Sequence, residues 1–170
     1  RGRRGRGPGG CAGPDQTVIF GANLLKNPGN EEALVNGKIP SWTEVSGTWT
    51  RAPAGTGGLP ASLEGDTYFA GEGETAELRQ DVDVSAFAAD IAAGTQQFAL
   101  TTHCQSAGEC PARPCRVVLQ YRQPANAAVL ASLDSGQMAS VSEWAEATDS
   151  RPAPVGTGWI RLRLIGARAS

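Results

Sequence analysis

Between Ala76 and Val84 the chain alternates strictly, with Ala76, Leu78, Gln80, Val82 and Val84 set against Glu77, Arg79, Asp81 and Asp83. A period of two is that of an extended strand with one buried and one solvated face. The same period returns in residues 159–165, where Ile160, Leu162 and Leu164 alternate with Arg161 and Arg163, and in residues 116–122, where Val117, Leu119 and Tyr121 share a face. Further strands are expected at residues 19–25, 67–70, 96–103, 128–134 and 144–148, and two short pieces around Trp42 and Trp49 read as a hairpin turned at Ser46-Gly47. Asn27-Pro28-Gly29 ends the first strand, because proline lacks a ladder donor and glycine accepts a positive φ. Residues 52–60, APAGTGGLP, have the chemistry of a long loop. Only residues 85–94, SAFAADIAAG, have helical character, and they are expected to cross between sheets in a turn or two. About ten strands, with no internal repeat and no alternating helices, predict an all-β, two-sheet antiparallel jelly-roll sandwich.

Composition agrees with that pattern. In 170 residues, 22 glycines and 11 prolines favour short strands joined by turns, and 40% hydrophobic content suffices for one core. No apolar run approaches the roughly 18 residues a membrane span needs. There is neither an initiating methionine nor a leader, so the chain reads as a mature or excised piece.

The formal charge of -2 is unevenly spread. Arg1, Arg3, Arg4 and Arg6 stand in an opening without acids, so the rest holds 11 basic against 17 acidic residues, or -6. An acidic body argues against nucleic-acid partners, which need a basic face. Residues 1–16 therefore read as a flexible Arg/Gly-rich linker or tail preceding a sandwich domain of residues 17–170. RNA binding by the tail and dibasic processing at RGRR are the sharper alternatives.

Cys11, Cys104, Cys110 and Cys115 make an even count that suits disulfides in an oxidising compartment. Pairing Cys104 with Cys115 would close the neck of a hairpin and leave Cys11 for Cys110. A zinc site using His103 is the alternative, although C-x5-C-x4-C lacks the short paired spacing of zinc ribbons.

Asn23 to Glu32 reads N-L-L-x-N-P-G-x-E-E and is followed by a W-T pair, by G-D-T-Y-F-A at residues 65–70 and by D-V-D-V-S-A at residues 81–86. This succession resembles the galactose-binding-like β-sandwich superfamily, which includes carbohydrate-binding modules, and its opening is similar to the sugar-recognising domain of some F-box proteins. The resemblance implies a structural calcium near Glu31, with Glu32 adjacent and Asp66 in the neighbouring loop. It also implies a closing strand beside the first, which the chain reaches Ser170 without showing.

Catalysis is not expected. His103 is the one histidine, and Cys104 beside it would face the other side of a regular strand. No pair of acids sits in a recognisable glycosidase segment, and Gly55 to Gly58 lacks the lysine and helix of a phosphate loop. Sugar binding would use aromatic faces with planar polar groups. Trp49, as an exposed platform, with Arg51, Tyr68, Trp144 and Arg122 are the candidates, while Trp42 and Trp159 suit packing. The sequence thus predicts a non-catalytic, extracellular module that binds glycan or glycoprotein. The alternatives are a structural domain that binds neighbouring domains and a cytoplasmic F-box-type adaptor.

Overall fold

The computed structural model describes residues 23–55, 60–105, 114–138 and 143–167. Seven strands lie among them: β1 (Thr43–Pro53), β2 (Thr67–Asp83), β3 (Gln97–Cys104), β4 (Cys115–Arg122), β5 (Val129–Asp134), β6 (Ala145–Pro152) and β7 (Trp159–Ala167). All pairings are antiparallel, forming a five-stranded sheet in the order β1-β2-β7-β4-β5 and a two-stranded sheet of β3 and β6. The alternation read from the sequence decides which residues lie between the sheets. Leu78 of β2, Val117, Leu119 and Tyr121 of β4, and Ile160 and Leu162 of β7 are buried together with Ala147 of β6, while Phe98 and Leu100 of β3 pack against them. Each fully buried aliphatic side chain stabilises the sandwich by about 1.5–3 kcal/mol.

Among the described residues, a hydrogen bond and a disulfide join the two layers. Tyr121 on β4 donates its hydroxyl to Asp149 on β6 at 3.4 Å, and burial, followed by the Asp149 charge, pushes the phenol pKa well up. The expected disulfide between Cys104 and Cys115 is present, with Cα atoms 6.3 Å apart. It joins the two sheets and does not close a hairpin, because β3 pairs with β6 while β4 lies between β7 and β5. Cys11, Cys110 and the Arg/Gly-rich segment fall outside the described residues.

The strand count differs from about ten because four expected pieces are two long strands. Trp42 and Trp49 do not flank a hairpin. Gly47, at φ +70°, lets β1 kink and continue, and a Cβ there would stand 2.6 Å from the Glu72 carbonyl oxygen. Between the pairs Ser46/Glu77 and Thr48/Glu72, one residue of β1 spans four of β2, so β2 bulges and stays one strand. Of the expected opening strand at 19–25, residues 19–22 fall outside the described residues, residues 23 and 24 have no regular structure, and a bend begins at Leu25. The helical segment is a 3-10 turn, Ser85–Phe87, running into α1 (Ala88–Ala92), and it carries the chain from one sheet to the other as expected, pinned by buried Val84 and Ile91.

Candidate functional site

The residues singled out from the sequence fall in two places. On the loop side, Asn27 and Asn30 adopt left-handed backbone on either side of Pro28-Gly29, at φ 45° and 59°. Asn30, 0% exposed, donates its amide to the Thr50 and Tyr68 carbonyls at 3.3 and 3.0 Å, and its own carbonyl accepts from Arg51 Nε at 3.0 Å and Thr67 Oγ1 at 2.8 Å. This brings Glu31 against the loop before β2, where Oε1 accepts the Asp66 and Thr67 N–H groups, each at 3.1 Å, and Oε2 lies 3.6 Å from Arg51 Nη2. Glu32 uses its backbone N–H to bond Asn27 Oδ1 at 3.1 Å and is exposed.

Glu31 and Asp66 are thus neighbours as expected, yet the set does not fit calcium. Both oxygens of Glu31 face N–H donors, and Asp66 contributes its amide to that contact. Among the described residues no group of three or more His, Cys, Asp or Glu is placed to hold a metal ion.

Trp49 is not the exposed platform. It is 5% exposed and sits opposite Gly71, where an added Cβ would lie 3.0 Å from the ring, and its Nε1 donates to the Ser46 carbonyl at 3.3 Å. The bulge in β2 turns this end of the ribbon over, so Trp49 enters the core together with Trp42, which packs edge-on against Phe69 at 4.9 Å. Tyr68 and Trp144 do meet, edge to face at 5.4 Å, with Trp144 Nε1 donating to the Ala61 carbonyl at 2.9 Å. Burial raises the Tyr68 pKa, and its hydroxyl has no hydrogen-bond partner among the described residues.

Arg122, the remaining candidate, lies elsewhere, on the outer face of the five-stranded sheet. Since Ile160 and Leu162 point inward, Trp159, Arg161 and Arg163 point out. Trp159 is half-buried and stands opposite Arg122 of β4 and Asp83 of β2. This corrects its assignment to packing. Around it runs a ladder of planar polar groups. Arg161 forks onto Asp81 at 2.6 and 2.9 Å, Arg163 forks onto Glu77 at 2.7 and 2.6 Å, and Arg116 bonds Asp134 at 2.7 Å. The Arg163 hydrogen bond holds Glu77 below the usual carboxylate range. Burial acts to raise Asp81, but the Arg161 hydrogen bond and charge bring it down, and the Arg116 bond takes Asp134 to about 2.

The turn Pro124–Asn126 approaches this face. Ala125 and Asn126 are both left-handed without being glycine, at φ 56° and 58°, a conformation that costs on the order of 1 kcal/mol each. Two outer-face groups hold it. Asn126 Nδ2 donates to Asp81 Oδ2 at 2.8 Å, and Arg122 donates to the Asn126 carbonyl from Nε and Nη2 and to the Ala127 carbonyl from Nη2, while its Nη1 bonds Gln120 Oε1 at 3.0 Å. A register shift between Tyr121 and Arg122 re-aims the arginine toward the turn. Two buried atoms here have no hydrogen-bond partner among the described residues: Asn126 Oδ1, an acceptor, and Arg79 Nε, a donor that lies 3.9 Å from Asp81 Oδ2.

A third feature is an open depression of about 440 Å³ between the layers, lined by Leu133, Ser135 and Met138 on one side and by residues 145–148 of β6 on the other. Glu146 there lies 3.3 Å from His103 across the β3–β6 pair.

No known protein-family pattern matches the sequence, and no curated protein does. Solved structures do resemble the fold. The enzymatically active domain of bacteriophage CBA120 tailspike protein 4 matches over 86% of this chain, with TM-score 0.57 and 12% identity. The chain spans 19% of that tailspike chain. The carbohydrate-binding module TmCBM61, solved with β-1,4-galactotriose, matches over 86% of this chain and 88% of its own length, with 16% identity and TM-score 0.48, below the level at which a shared fold can be argued.

Proposed function

We propose that this sandwich is a non-catalytic, extracellular glycan-recognition module whose sugar-contacting surface is the outer face of the five-stranded sheet at its Trp159 end. One observation carries the reading: a half-buried indole directly opposite Arg122, bordered by Asp81, Gln120, Asn126 and Arg161. A pyranose presents an apolar face that stacks on such a ring and a rim of hydroxyls that both donate and accept. The disulfide suits an oxidising compartment, which favours this reading over the cytoplasmic adaptor. The Asp66 and Thr67 N–H groups hold the Glu31 carboxylate with Arg51 beside it, so the melting temperature is expected to be the same in EDTA and in millimolar calcium.

A glycan array probed with the wild type and with Trp159→Ala tests the proposal. Binding weakened by about tenfold or more in the variant, with little change in melting temperature, supports it. Binding that survives Trp159→Ala removes the outer face from the account. A structural interaction module is the second reading, favoured by β5, which is a sheet edge among the described residues and carries Val129 at 45% exposure. It predicts self-association in sedimentation that Val129→Lys abolishes.

A further inference from the structure

We propose that the glycan taken by this face is acidic, and that its carboxylate or sulfate sits against Arg122. The inference rests on the glycan reading above and adds the charge of the ligand to it. Each of the other outer-face arginines has an acid within 4.0 Å: Arg161 and Arg79 have Asp81, Arg163 has Glu77, and Arg116 has Asp134. Arg122 contacts none among the described residues. Four of the five N–H groups of its guanidinium are held by neutral oxygens, those of Asn126, Ala127 and Gln120. Its position is therefore fixed while its charge stays unbalanced, and one Nη1–H remains to be given.

The imbalance extends beyond Arg122. Burial and then the neighbouring charges of Arg161 and Arg79 lower the Arg122 pKa, with Asp81 opposing them. Arg161 and Arg79 share the carboxylate of Asp81, and Asp83 stands on the other side of Trp159, so these three guanidinium groups meet two carboxylates and one positive charge is left over where the indole stands opposite Arg122. The whole face stays positive, five arginines facing Glu77, Asp81, Asp83 and Asp134, although the chain carries a formal charge of -2. A neutral sugar would leave this excess in place. An anionic one would meet a guanidinium already held in its bound geometry, which lowers the entropic cost of binding.

The full chain, with its disulfide intact, is titrated with polygalacturonate and with the same polymer after carboxyl reduction, and with dextran sulfate against dextran. The first pair tests a carboxylate and the second a sulfate. The expected result is binding of one acidic polymer about tenfold tighter than its neutral counterpart, weakened by salt. Arg122→Gln removes that preference, Arg122→Lys restores most of it, and Arg79→Gln, which breaks no hydrogen bond among the described residues, reduces it. Replacing Arg1, Arg3, Arg4 and Arg6 by Gln leaves it unchanged. Equal binding of acidic and neutral polymers, or of neutral ones alone, overturns the proposal, and if that binding still depends on Trp159 the glycan reading survives it. Acidic binding that disappears with the four N-terminal arginines and ignores Arg122 also overturns it. Binding of no polymer overturns it as well, and the array result with Trp159→Ala then decides the glycan reading separately.

Discussion

The two faces of the five-stranded sheet are built from alternate residues of the same strands, and they obey different rules. On the inner face of β2, β7 and β4, Leu78, Ile160, Leu162, Val117 and Leu119 are closed off from water and carry no charge. On the outer face the same strands present arginines and acids that pair across the ladder and do not cancel. An apolar contact is complete once water is excluded, whereas an ion-pair ladder is complete only when its charges balance. The inner face therefore supplies stability, and the outer face keeps a capacity to bind.

The sharpest way to break this division is Leu78→Ala, at a side chain 0% exposed, which should cost about 2–5 kcal/mol in urea unfolding and do so equally at every pH. Gly47→Ala comes next. It strikes the kink in β1, where the Cβ would meet the Glu72 carbonyl and Ala76, and it should cost about 1–3 kcal/mol. The smallest effects belong to the outer face. The double-mutant cycle of Glu77→Gln with Arg163→Gln should give about 1 kcal/mol or less, because both side chains are partly solvated. That coupling has a direction in pH. Glu77, Asp81 and Asp134 titrate below their ordinary values, so their contribution is complete above roughly pH 5 and fades as pH falls toward about 2. A coupling that stays constant across that range would refute the electrostatic account of the outer face.

Parity explains what could be read from the sequence. Where strands are regular, alternation decided everything: the inward sets of β2, β4 and β7 are as expected. The same alternation held the correct place of Trp159, which shares its parity with Arg161 and Arg163. Assigning it to packing gave weight to residue type over position. Trp49 could not be placed that way. The bulge that lets one residue of β1 span four of β2 reverses the faces, and nothing local in G-E-G-E-T announces its size. Glu31 and Asp66 were neighbours in the expected loop, but whether a carboxylate meets a cation or the amides of its own chain depends on Asn30 and Arg51, which the motif leaves open. Cys104 and Cys115 pair as expected, but across the layers and not at the neck of a hairpin, because β3 and β4 lie in different sheets.

The position of β7 bears on how the molecule comes into being. It is the last of the seven strands in sequence and occupies the middle of its sheet, bonded to β2 on one side and β4 on the other. A ribosome releasing this chain would expose two hairpins, β1–β2 and β4–β5, each waiting with an open edge for a strand not yet made. Such long-range closure is slow, and the waiting edges are the kind that neighbouring nascent chains can zip onto. Since Cys104 and Cys115 precede β7, their oxidation can clasp the two layers while the central gap is still open, so the order of oxidation and translation becomes a determinant of yield.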